Sequence, residues 1–211
     1  MAIFDDARKL EMYRFFLVAF NAAPGLTYLA QLQQAVESGL STREIVNIFT
    51  TKQQFTSVYP ESLSHTEFAS RLIQRVIGSS ASTPAREQAI TDVIDALDAG
   101  LSRGDVITQI FGNLAQRQTD PSQEDYDRED PYLGVAKKLA NQVVVAKHFT
   151  EVLRADSILL SVLQGSVAKV NENSLVNTTE AIENVIRGFD LSRQLEMYRF
   201  FLVAFDAAPG V

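Results

Sequence analysis

Apolar residues along this chain recur at helical rather than strand spacing. Leu10, Tyr13, Phe16, Leu17 and Phe20 follow one another at steps of about a helical turn, and Pro24-Gly25 closes the stretch. Residues 15–20 read Phe-Phe-Leu-Val-Ala-Phe, apolar right round the cylinder, which predicts a helix covered on several sides. Leu29, Leu32 and Val36 mark a second helix, stopped by Gly39. Ser41 with Glu44, Ser64 with Glu67 and Ser102 with Asp105 have capping-box spacing. There the hydroxyl accepts an orphan N–H and the acid complements the positive helix end. The Ser64 helix should run to Ile77, closed by Gly78 and followed by the loop SSASTP. Thr83 before Pro84 reads as an N-cap with proline at the first helical position. A long helix is predicted over 132–154, with Ala136, Leu139, Ala140, Val143, Phe149 and Leu153 inward. Short helices follow near 158–163 and 179–186, Asn177 and Glu180 starting the second. No alternating run with a tight turn appears, so the expected class is all-α.

The chain repeats itself. Residues 8–25, RKLEMYRFFLVAFNAAPG, return as residues 193–210, RQLEMYRFFLVAFDAAPG, at an offset of 185. Only Lys9/Gln194 and Asn21/Asp206 differ within that span. Either a chain of tandem units begins its next copy here, or the second segment is a working part of the fold; the two are compatible. A weaker duplication relates GLSTREIVNIF (39–49) to GLSRGDVITQIF (100–111), with Leu29, Leu32 and Val36 answering Ile90, Val93 and Leu97. This predicts a helical bundle of two degenerate modules, about 7–60 and 64–118, plus the long helix. Residues 1–188 would form one unit of a tandem array, and 189–211 the start of the next repeat or a shared docking helix. In that helix Tyr198, Phe200, Phe201, Leu202 and Phe205 are the expected interface, seated against Ile182, Val185 and Ile186.

Composition restricts the chemistry. The 211 residues contain no Cys, which excludes disulfides, thiolate nucleophiles and zinc–thiolate sites, and no Trp. His65 and His148 are the only imidazoles, and neither sits in a metalloprotease or triad motif. His148 reads as a structural histidine on the long helix and His65 as exposed in a first turn. Acidic pairs such as Asp92/Asp95 and Asp95/Asp98 share a helix face in the manner of any solvated helix, so no catalytic pair is read from them. The net charge of −7 and scattered basic residues argue against a nucleic-acid partner. The apolar run at 15–20 is far short of the roughly 20 residues a membrane span needs. Asp5 and Asp6 stand where a secretory leader would be basic.

The segment 119–131, TDPSQEDYDREDP, concentrates six acids against Arg128. Clustered carboxylates repel unless solvent or a cation relieves them, and calcium favours such oxygens. Asp120, Asp125, Asp127 and Asp130 are therefore the candidate calcium ligands, and calcium the one cofactor the sequence offers a place for. An EF-hand started at Asp125 fails, with Asp130 at the glycine position and Ala136 at the bidentate glutamate. A solvated acidic loop is the other reading.

An aromatic-rich helix, AxPG, a second helix and an SG-L-S-x-x-E turn together resemble a helical domain of unknown function widespread in bacterial S-layer-like and RTX-type secreted proteins. The matching residues are 13–55, with a degenerate second copy over 76–111. Residues 130–153 are similar to an "ANxVxVAxxFTxxL" helix that often follows those modules. The chain departs from the commonest form in carrying FNAAPG where "GRAPD" is usual. The resemblance implies a bacterial cell-surface or extracellular protein exported by a type I system, with lattice, anchoring or adhesive work and no catalytic residues. The expected function is thus a non-enzymatic structural or adhesive module that self-associates or packs against neighbouring repeats. The alternative is a carbohydrate-recognition module for surface polysaccharide, with Tyr126, Tyr132 and the acidic loop, bridged by calcium, as its site.

Overall fold

The computed structural model describes residues 3–157 and 159–187, and every regular element among them is helical. In chain order these are α1 (Asp6–Phe20), α2 (Gly25–Glu37), α3 (Thr42–Phe49), α4 (Gln53–Thr56), α5 (His65–Val76), α6 (Thr83–Asp98) and α7 (Arg103–Ala115). Then come α8 (Leu133–Lys147), continued by a π-helical turn His148–Val152, α9 (Leu160–Gly165) and α10 (Thr179–Arg187).

The central element is α1. Its N-terminus is capped by Asp5, whose carboxylate accepts the Arg8 N–H at 2.9 Å. It ends where Asn21 turns into the left-handed region and donates its N–H to Leu17. From Met12 to Phe20 every residue but Arg14 is buried. The helix packs against α2, α3, α5, α7 and α8, which accounts for a helix with no polar face in its second half. Phe15, Phe16 and Phe20 join Tyr28, Phe49, Phe55, Tyr59 and Phe68 in a continuous aromatic cluster of tilted and edge-to-face pairs. Burying each of these rings contributes about 1.5–3 kcal/mol. The α1 aromatics alone therefore weigh on the scale of a whole domain's net stability, about 5–15 kcal/mol.

The α2–α3 and α6–α7 turns have the same backbone. Gly39 and Gly100 adopt φ 91° and 93°, which a side chain would strain. Leu40 N–H reaches back to Ala35 C=O at 3.2 Å, as Leu101 N–H does to Ala96 C=O at 3.0 Å. Ser41 with Glu44 and Ser102 with Asp105 then complete capping boxes, as Ser64 with Glu67 does for α5. The two following helices, α3 and α7, lie against each other. Gly104 lets them approach: a Cβ there would lie 3.0 Å from Asn47 Cγ and 3.1 Å from its Cα.

Three local expectations are corrected. Ser82, not Thr83, is the N-cap of α6, accepting the Ala85 N–H, and Pro84 sits one residue further in. Thr178, not Asn177, starts α10, its hydroxyl accepting the Ala181 N–H at 3.1 Å. The long helix is not regular to 154: the π-helical turn buries Phe149 and Thr150 together, then Arg154 (φ 52°) reverses the chain. Val152 and Leu153 are consequently exposed, and Ala140 also faces solvent. Ile182 and Ile186 are buried and Val185 packs against the core, while the helix expected to seat on them, 192–206, lies outside the described residues. Short helix α9 begins at Leu160.

Candidate functional site

The environment of α1 is the first candidate, because α1 is the segment that recurs. The expected interface residues Tyr198, Phe200, Phe201, Leu202 and Phe205 lie outside the described residues. Their counterparts Tyr13, Phe15, Phe16, Leu17 and Phe20 are at most 3% exposed. At the rim, Arg8 donates to Thr42 Oγ1 at 2.8 Å, and the Thr42 hydroxyl donates to Glu11. Lys9 pairs with Glu151 at 3.6 Å, and Asn21 Oδ1 accepts from Gln142 at 2.9 Å. Arg75 and Gln164 both donate to the Phe20 carbonyl at the helix end.

Beneath α1 the π-helical turn brings polar atoms inward. Tyr13 and Thr150 are fully buried, and the Tyr13 hydroxyl is held far above the usual phenol range by burial and then by the Glu151 charge. His148 is buried with Nε2 3.8 Å from Glu183. A tyrosine, a glutamate, a threonine and a histidine are catalytic side-chain types; here Tyr13, Thr150 and His148 are buried, and Glu151 is half-buried beside Lys9. They read as a polar seam that fixes how α1 seats on the π-helical turn.

The acidic loop is the second candidate. Asp120 accepts from the Ser122 N–H at 2.9 Å and from its hydroxyl at 2.7 Å, which holds its carboxyl below the usual range. Asp127 accepts the Glu129 N–H, and Asp130 accepts the Tyr132 N–H while pairing with Arg117 at 2.7 Å. Asp125 is exposed. Each carboxylate but Asp125 thus serves a local turn or a cation, and the four are not brought together. Among the described residues no three His, Asp or Glu side chains are grouped to hold a metal.

Beside the loop an open cleft of about 180 Å³ lies between α5, α6, α7 and α8, walled by Ile73, Ile77, Ile110 and Val135. Tyr132 and Arg117 form its rim, the guanidinium 5.1 Å from the ring centroid. The Tyr132 hydroxyl donates to Ala85 C=O at 2.9 Å, and burial raises its pKa. Tyr126 is engaged similarly, with Lys137 5.2 Å over its ring and bonded to its hydroxyl at 3.1 Å. Tyr126 and Tyr132 were legible as neighbours of the acids; Arg117 and Lys137, which cover one face of each ring, were not. His65 pairs with Asp98 at 2.6 Å on the exposed side of α5 and α6. No helix among the described residues is long and apolar enough to cross a membrane.

No protein-family profile, curated protein or solved structure matches the chain.

One further signal was open to the sequence. The terminal repeat extends to Phe4/Phe189 and Asp5/Asp190, so residues 4–25 and 189–210 differ at only four of 22 positions. Asp190 therefore repeats the residue type of Asp5, which caps α1, and Phe189 that of Phe4, which packs against the core.

Proposed function

We propose that the chain is a non-enzymatic structural module of a bacterial cell-surface or extracellular protein. It is one unit of a tandem array whose units or copies associate through helix packing, in lattice or adhesive work. The supporting observation is α1: a helix that needs covering on every side is written twice in one chain. The matched Gly39 and Gly100 turns support a unit built from two related helical pairs, α2–α3 and α6–α7. Repeat arrays work by stacking units that share such apolar faces, and they need no catalytic group. The test is native mass against concentration by sedimentation velocity. Reversible association is expected; a chain that stays monomeric up to millimolar concentration rejects the reading.

A second reading, a carbohydrate-recognition module for surface polysaccharide, draws on the apolar cleft beside Tyr132, Arg117 and the acidic loop. A glycan-array screen with and without calcium tests it, and the absence of binding under both conditions rejects it.

A further inference from the structure

The socket around α1 has a second fitting occupant in the chain's own sequence. We propose that residues 189–210 of one molecule occupy the α1 socket of another, so that copies join head to tail by helix exchange. This rests on the structural reading above and names its partner as another molecule of this chain.

The fit can be checked position by position. All eight buried residues of α1, Met12, Tyr13 and 15–20, recur unchanged at an offset of 185. The rim is conserved in chemistry as well. Arg193 and Glu196 repeat the Arg8 and Glu11 groups that meet Thr42. Asp190 repeats the cap that Asp5 gives to the Arg8 N–H. Pro209-Gly210 repeats the Pro24-Gly25 exit, where Gly25 stands at φ 64° with a Cβ position 2.9 Å from Asp156 Oδ1.

The four differences are compatible with the same seat. Asp206 in place of Asn21 keeps an acceptor for Gln142 and is a residue that tolerates the left-handed conformation. Gln194 in place of Lys9 gives up one partly exposed ion pair with Glu151. Leu191 and Ser192 replace Asp6 and Ala7, two exposed first-turn positions.

Exchange of an identical element is a low-cost route to assembly, because incoming and outgoing helices bury the same groups. The contact is heterologous, so it propagates or closes into a ring. The equilibrium is then set by concentration and by anything that weakens the resident α1. Phe16 is the probe: it is 2% exposed and meets Phe20, Tyr28 and Phe49.

The experiment compares the full chain with F16D, F201D and the double variant F16D/F201D, by circular dichroism and sedimentation velocity. F16D is expected to stay helical but to run as multimers, its multimer fraction at least tenfold above the full chain's at micromolar concentration. F201D is expected to be folded and monomeric, and the double variant unfolded. The milder F16A should raise the multimer fraction in the same direction. An F16D chain as unfolded as the double variant overturns the proposal, and so does a folded F16D monomer, which would mean occupation within one chain. If F16D multimerises while the unaltered chain stays monomeric to millimolar concentration, exchange stands and the structural reading fails. If the unaltered chain and F201D associate alike, exchange fails and the structural reading stands.

Discussion

Arg43 and Asp105, 62 residues apart, meet through two contacts, Nε to Oδ1 at 2.6 Å and Nη2 to Oδ2 at 2.9 Å. The same carboxylate accepts from Asn47 at 3.2 Å and closes the Ser102 capping box. One side chain therefore starts α7 and ties it to α3. The Arg43 guanidinium, then the Asn47 and Ser102 donors, hold the Asp105 carboxyl well below the usual carboxylate range.

Asp105→Asn should therefore lower stability at neutral pH by about 1 kcal/mol, the upper end for a surface ion pair. That is roughly 2–4 °C in Tm for a chain of this size. The unfolded carboxyl protonates near pH 4 and the folded one well below it, so its contribution is complete above about pH 4 and lost as pH falls. Melting curves from pH 7 to pH 2 should show a shallower acid limb for D105N. Parallel limbs would show that the contact adds nothing.

Tyr59 is fully buried among Phe55 and Phe68, its hydroxyl has no hydrogen-bond partner among the described residues, and burial pushes its pKa up to about 12. An unpartnered buried hydroxyl costs stability rather than adding it. Tyr59→Phe should leave Tm unchanged or raise it by a few degrees. The unfolded phenol ionises near pH 10, so the wild type loses stability as pH rises above about 10. Urea titrations at pH 8 and 11 should show a smaller alkaline loss for Y59F. A clear destabilisation at pH 8 would mean that the hydroxyl is bonded.

Calcium has a direct test. A site with a dissociation constant 100-fold below the free calcium concentration would stabilise the fold by about 2.7 kcal/mol. With Asp120, Asp127 and Asp130 committed to turns and to Arg117, thermal melts in millimolar calcium and in EDTA should coincide. A calcium-dependent rise of several degrees, abolished by D125N/D127N, would instead make the loop a metal site.

Much of this architecture is local, and local signals were legible. The three Ser-x-x-Glu/Asp capping boxes, the glycine stops and the apolar face of α1 each follow from residues a turn or two apart. What was not legible depends on distant partners. The π-helical turn at 148–152 has no composition of its own; it widens the helix so that Phe149 and Thr150 both reach the core beside α1. Ser82 outcompetes Thr83 as a cap by a shift of one residue, which spacing cannot resolve. The Arg43 grip on Asp105 joins helices 62 residues apart, and the Arg117 stack on Tyr132 is set by how the irregular 116–131 loop folds back, which no periodic spacing fixes. For the candidate site, the sequence singled out the repeated helix and the acidic loop. It did not show that the loop carboxylates are held in separate turns.

If the repeated helix is an assembly element, as proposed, the fold of residues 3–187 should persist when the apolar face of that helix is removed. Sedimentation velocity on the full chain and on the variant F200S/L202S/F205S, from micromolar to millimolar protein, tests this most directly. Mass rising with concentration is expected for the unaltered chain, and a monomeric variant with an unchanged melting temperature. A full chain monomeric throughout, or a variant that associates equally well, would contradict it.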